Sequence, residues 1–329
     1  MTRLLGQHEQ VANFRDALAS GRLHHAWLLT GSQGVGKAGF ALNAARRLLA
    51  DAAGPAVDAP DLDVPEEHAV ARYMAAGSHP DFRHLERLPR DASGELARSI
   101  TVAQVRALQG LFATTPSLSE RRVVLIDSID DLERSAANAL LKNLEEPPAG
   151  TLFLLVSHAP GRLLPTIRSR CRPLRFPPLE PVDMRAALSQ AMPDADAAEI
   201  AALVALGAGA PGRALRFAGL DMAGLDEAMD TLIARGDPTN AIRANLAKRL
   251  SGKVAQARYE AFLERVPARI AGHARALAGE SLARAVGLWE RARGLSESAV
   301  RLSLDPQAVV FELAGLLAAL APTAGPAKA

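Results

Sequence analysis

The sequence predicts a parallel α/β domain followed by all-helical segments, and three observations carry that prediction. A short apolar run, Ala26–Thr30, passes through a glycine-rich turn into the helix-spaced stretch Phe40–Ala50. Two further apolar runs, Val123–Ile126 and Leu152–Val156, flank a helical segment, and no strand-like run recurs after Phe176-Pro177-Pro178. Strands that are short, continuous and apolar are those buried on both faces of a parallel sheet.

The first strand ends at Gly31, the second at Asp127 and the third at Ser157. In open parallel sheets ligands bind outside the carboxyl ends of the strands, so all three positions become candidate site residues. Between the second and third strands, Ser135 to Leu144 puts Ala136, Leu140, Leu141 and Leu144 on one helical face, and Pro147-Pro148 stops the helix. That makes the connection a crossover. The stretch Asp51–Pro65, rich in Ala, Pro and Asp, reads as a loop.

Four segments are expected: an α/β domain over 1–178, a small helical unit over 179–220, a larger helical bundle over 221–320 and a disordered tail over 321–329. In the second, Gly207, Gly209, Pro211 and Gly212 form an internal turn. Hydrophobic residues make up 49% of the 329 positions but aromatics only 4%, so Ala, Leu and Val build the core and helices are favoured. One cysteine, Cys171, excludes an intramolecular disulfide and reads as a small buried hydrophobe. No run of about 18 apolar residues is present to span a bilayer, and Met1–Gln10 has no signal-peptide pattern, so a cytoplasmic protein without a membrane partner is expected.

Gly31-Ser32-Gln33-Gly34-Val35-Gly36-Lys37-Ala38 matches the P-loop pattern G-x-x-x-x-G-K but has alanine where that pattern needs serine or threonine. Between a strand and a helix, such a loop turns backbone N–H groups and the positive helix end toward phosphates, and Lys37 would reach the terminal ones. The bland alternative is a glycine-rich turn with no ligand. A methyl group at Ala38 cannot ligate magnesium. Asp127 is placed to hold that metal through water, but its neighbour Ser128 stands where an ATPase needs a carboxylate to polarise the attacking water. Asp130 and Asp131 belong to the following turn and cap. Two catalytic jobs are therefore vacant, so nucleotide binding could survive while turnover should not.

Ser157 has two readings, a sensor of a terminal phosphate or a simple cap for the following turn. Arg213, in Gly209-Ala210-Pro211-Gly212-Arg213, either reaches a nucleotide or is a surface arginine at a helix start. Five arginines, Arg162, Arg168, Arg170, Arg172 and Arg175, fall within fourteen positions. They could form a DNA phosphate patch, a set of exposed ion-pair partners, or contain an arginine finger for a neighbouring ATP site. The net charge is only +2, yet from Thr231 onward 14 Lys or Arg stand against 8 Asp or Glu. Those basic residues are dispersed at helical spacing, as on a solvated face.

The segment Ser135-Ala136-Ala137-Asn138-Ala139-Leu140-Leu141-Lys142-Asn143-Leu144-Glu145-Glu146-Pro147-Pro148 resembles a helix characteristic of clamp-loader subunits, and Ser169-Arg170-Cys171 matches that family's S-R-C motif. With His24-His25-Ala26 and His79-Pro80-Asp81-Phe82, the resemblance covers about residues 20–180. It implies an AAA+ module, namely a P-loop α/β domain and a helical lid, followed by a helical collar that joins subunits. It also implies that Arg170 is an arginine finger acting in trans. Within the family, Ala38 and Ser128 favour the delta-prime type of DNA polymerase III over the gamma or tau motor, as does a chain that ends soon after the collar. The implied partners are gamma or tau and delta in a pentameric ring, with the sliding clamp and primed DNA reached through the complex.

No cofactor is required on this reading. ATP or ADP could occupy the P-loop, Gly31, Gly34, Gly36 and Lys37 with Asp127, Ser157 and Arg213, without being hydrolysed. Many bacterial relatives carry a four-cysteine zinc module after the P-loop helix, whereas residues 48–80 contain no cysteine, so structural zinc is not expected. The competing readings are an active AAA+ ATPase and a DNA-binding scaffold without nucleotide chemistry.

Overall fold

The computed structural model describes residues 4–90, 96–220, 222–252 and 255–322, so most of the expected tail, from 323 on, lies outside the described residues. The chain forms two compact units that divide between Leu215 and Arg216.

In the first unit, α1 (His8–Ala19), β1 (Ala26–Thr30), α2 (Lys37–Ala53) and α3 (Ala69–Ala75) precede β2 (Phe82–Glu86) and α4 (Val102–Phe112). Then come β3 (Arg122–Asp127), α5 (Arg134–Glu145), β4 (Thr151–Ser157), α6 (Pro165–Arg168) and β5 (Arg172–Arg175). Three helices close the unit: α7 (Pro181–Ala191), α8 (Ala197–Gly207) and α9 (Pro211–Leu215). All pairings in the five-stranded sheet are parallel, in the order β2-β3-β4-β1-β5.

Between their polar ends the three central strands are apolar because each presents alternate residues to two cores. Trp27, Leu29, Val123, Leu125, Leu154 and Val156 pack with Phe14 and Phe40 from α1 and α2. Leu28, Val124, Ile126, Phe153 and Leu155 pack on the opposite face with Leu108 of α4 and Leu140 and Leu144 of α5. Phe14 touches both Trp27 and Phe40 edge-on, with ring centroids 5.2 and 5.7 Å apart. Ala136, Leu140 and Leu144 of the expected helical face are buried, and Leu141 is half-buried.

The strands read from sequence are β1, β3 and β4. The edge strands β2 and β5 carry Phe-Arg-His-Leu-Glu and Arg-Pro-Leu-Arg, with one buried residue each. Each has one strand neighbour, so the apolar run that betrays a central strand is missing. Pro173 is tolerated in β5 because it lies at the edge. On that strand's path Gln10 of α1 donates to the Arg175 carbonyl at 2.8 Å, and Arg172 lies over the Trp27 ring at 4.6 Å.

The loop read over 51–65 begins inside the last turn of α2 and is clasped by one side chain of that helix. Arg47 donates to the carbonyls of Val57, Ala59, Asp61 and Asp63 at 2.8–3.4 Å and to Asp51 at 2.8 Å. Asp51 in turn accepts the Val57 N–H at 2.8 Å.

The second unit contains α10 (Ala223–Arg235), α11 (Ala241–Leu250), α12 (Gln256–Ala274), α13 (Gly279–Leu302) and α14 (Pro306–Ala318). Val310, Leu313, Ala314 and Leu317 at helical spacing bury one face of α14, and Phe262, Val266 and Ile270 do so for α12. Asp226 and Asp230 of α10 pair with Arg269 of α12 at 3.1 and 2.7 Å, and Asp226 also pairs with Arg265. This accounts for part of the basic surplus downstream of Thr231, as ion-paired helix surface. Asp305 caps α14 by accepting the Ala308 N–H at 2.9 Å. Residues 179–215 of the expected small helical unit cluster with the sheet domain.

Candidate functional site

The parallel register puts the carboxyl ends of β1, β3 and β4 side by side, with Thr30 opposite Ser157 and Asp127 opposite Val156. Above them lies a 630 Å³ cavity. Gly34, Gly36, Lys37, Ala38, Asp127 and Ser128 all line it, so both halves of the nucleotide motif read from sequence converge there.

The loop backbone explains two of its glycines. At Gly34, φ is +81°, and a Cβ there would lie 2.5 Å from the Arg213 backbone nitrogen, because the Gly212 N–H donates to the Gly34 carbonyl at 2.8 Å. Only glycine permits that approach. Gly36, at φ +107°, faces open space on entry to α2, whose N-terminus has no side-chain cap.

Lys37 is 2% exposed and turned into its own loop, donating to the Gly31 and Ser32 carbonyls at 2.7 Å each. Burial brings its pKa down to about 8, against an opposing pull from Asp127 and Asp130. Burial also raises the Asp127 carboxyl above its ordinary value, while His158, His84 and Lys37 hold it down. Both shifts run toward neutrality, so desolvation outweighs the mutual attraction of the pair. Ser128 is buried, and its hydroxyl donates to Asp131 at 3.1 Å; Asp131 is also paired with Arg87 at 3.3 Å.

Other predicted residues stand elsewhere. Ser157 is fully buried and its hydroxyl donates to Asp130 at 3.0 Å; it does not line the cavity, though the flanking Val156 and His158 do. Asp130, expected in the turn and cap that follow β3, instead accepts the His158 and Ala159 N–H groups after β4 at 2.6 and 3.3 Å. Arg213 lies in α9 beside the loop, half-buried, but its side chain is not among those lining the cavity.

Arg170 follows α6, away from the cavity. It pairs with Glu145 at 2.7 Å and donates to the Thr166 carbonyl at 2.8 Å, with its side chain 33% exposed. Cys171 beside it is buried, which pushes its thiol up to about 12. Sequence reading missed His158 and Arg47. His158 owes its place to Asp130, far away in the chain, and Arg47 to carbonyls of the loop that follows its own helix, which carry no side-chain signal.

A loop of P-loop sequence, an acidic strand end and a helical segment laid against the loop, on a parallel sheet of this order, define an α/β module of the AAA+ P-loop type. The chain belongs to the family described as "DNA polymerase III, delta subunit", whose profile matches residues 6–180. It is 40% identical over 198 residues to DNA polymerase III subunit delta-prime of Pseudomonas aeruginosa, covering 59% of this chain and 56% of that protein. The Escherichia coli delta-prime subunit is 34% identical over 204 residues, 60% of this chain and 55% of that one. The Escherichia coli tau subunit is 30% identical over 320 residues, 95% of this chain and 45% of tau. The chain spans about half the length of the curated relatives it matches. These matches bear out the clamp-loader resemblance read from the motifs. Among the described residues no helix is long and apolar enough to cross a membrane.

Proposed function

We propose that this chain is a delta-prime-type subunit of a DNA polymerase III clamp loader that binds nucleotide without turning it over and lends Arg170 to the ATP site of a neighbouring subunit. The observation that carries the reading is a phosphate loop that converges with Asp127 at one cavity in which Ala38 has no hydroxyl for a metal and Ser128 offers no carboxylate. A loop of this kind holds phosphates through backbone N–H groups, which neither substitution removes. Positioning the metal and the attacking water needs the side chains that are missing.

The helices over 179–215 act as the lid, and the second unit acts as the collar that joins gamma or tau and delta in a five-membered ring. The sliding clamp and primed DNA are reached through that assembly. No cofactor beyond bound ATP or ADP is needed, and no structural zinc.

Two measurements test the reading. The purified chain should bind a fluorescent ATP analogue and show no ATP turnover. In the reconstituted complex, Arg170→Ala should cut clamp- and DNA-stimulated hydrolysis at the site it completes by ~10³-fold or more, the usual worth of a finger; unchanged hydrolysis would sink the assignment. The match to tau over 95% of the chain favours a second reading, an active motor. That reading requires the chain alone to hydrolyse ATP and Lys37→Ala to abolish it.

A further inference from the structure

Arg170 is not idle in its own chain. Its Nη2 meets Glu145 Oε1 at 2.7 Å, and its Nη1 donates to the Thr166 carbonyl at 2.8 Å and to the Ser169 hydroxyl at 3.4 Å. We infer that Glu145 parks the Arg170 guanidinium on its own chain and so holds back hydrolysis at the neighbour's site until a triphosphate there comes within reach. This rests on the reading of Arg170 as a finger.

Three features of the geometry support it. Glu145 stands in the last turn of α5, followed directly by Glu146, and Lys142 is the basic residue of that turn. The negative end of a helix disfavours a carboxylate there, so Glu145 works against its own helix and gains from a cation, which Arg170 supplies. Of the five clustered arginines, the other four are exposed and Arg170 is half-buried; among the described residues it alone is paired with a carboxylate. Finally, buried Ile167 and Cys171, on either side of Arg170, share one core with Leu140 and Leu144 of α5. Packing therefore sets the distance between Glu145 and the Arg170 backbone, and only the outer atoms of the arginine are left to choose a partner.

The two partners are unequal. An exposed carboxylate holds a guanidinium weakly. A phosphate offers more charge and further acceptor oxygens in the paired geometry that a guanidinium fits. Glu145 can thus be displaced by a triphosphate across the subunit boundary, yet it keeps the finger occupied while none is near.

Hydrolysis by the reconstituted complex, measured with and without clamp and primed DNA, tests this. Glu145→Gln should raise the unstimulated rate by about two- to fivefold, the range over which an exposed ion pair biases a side chain, and leave the stimulated rate and the KM for ATP unchanged. Glu145→Asp, which keeps the charge, should stay nearer the wild type. Adding Arg170→Ala to Glu145→Gln should erase the gain, since no finger is left to release. A purely structural Glu145 would lower both rates together; that outcome overturns the inference, as does an unstimulated rate that Glu145→Gln leaves unchanged or a gain that survives Arg170→Ala. If Arg170→Ala alone spares stimulated hydrolysis, the finger reading falls and the parking role falls with it. If that variant loses stimulated hydrolysis and Glu145→Gln has no effect, the parking role falls alone.

Discussion

Lys37 and Arg170 are the two cations proposed to meet phosphates, yet the fold treats them in opposite ways. Lys37 is sealed at 2% exposure, holds two carbonyls of its own loop, and lies under a segment whose backbone touches that loop at Gly34. Arg170 stands one-third exposed, and its ion partner Glu145 is half-exposed. Releasing Lys37 means breaking buried hydrogen bonds, each costly if left unmade. Releasing Arg170 costs little, because an exposed ion pair is worth about 0–1 kcal/mol. A group that serves its own chain can be locked away, whereas one that serves a neighbour has to be free to change partners.

Four experiments would break or sharpen that contrast, beginning with the largest effect. The ~10³-fold loss of hydrolysis at the neighbouring site expected of Arg170→Ala should come with almost no loss of folding stability, within about 1 kcal/mol by urea titration. A large stability loss would mean that Arg170 is structural. Next, Gly34→Ala should destabilise the first unit by about 2–4 kcal/mol, since it strains a left-handed backbone and drives a methyl into the α9 backbone. A variant with an unshifted denaturation midpoint would show that the loop and α9 are not held together in solution.

The third experiment uses pH. Phosphates favour charged Lys37, whose pKa of about 8 is depressed by burial, so the charged form is present below that value and lost above it. Affinity for an ATP analogue should therefore fall by about tenfold between pH 7 and pH 9, following the charged fraction. Lys37→Arg, which stays charged throughout, should flatten the profile; identical slopes would place the titration elsewhere. Last and smallest, Glu145→Gln should change stability by less than about 1 kcal/mol, as measured by thermal melting.

What sequence could reveal follows the same division between local and distant causes. The central strands and α5 were legible because burial on two faces leaves continuous apolar runs and a regular helical stripe. The P-loop and Asp127 were legible because strand ends and glycine spacing are local signals. β2 and β5 were not, since an edge strand keeps polar residues, and the arginines of β5 read first as a basic cluster. Ser157 and His158 differ by one position, and which of them meets the cavity depends on Asp130, 28 residues from His158 in the chain. No local pattern records that choice. A division near Leu220 was legible and the two units part after Leu215, a few residues earlier, with α9 held to the first unit by its contact at Gly34 and by buried Ala214.

Arg47 gathers four loop carbonyls and the Asp51 carboxylate onto one guanidinium. Many bacterial relatives are expected to gather the corresponding segment around a metal ion held by thiolates, which has to be acquired from the cell and protected from oxidation. A guanidinium arrives with the chain. On the proposal that no structural zinc is held here, the integrity of this loop should be indifferent to metal starvation and oxidative stress.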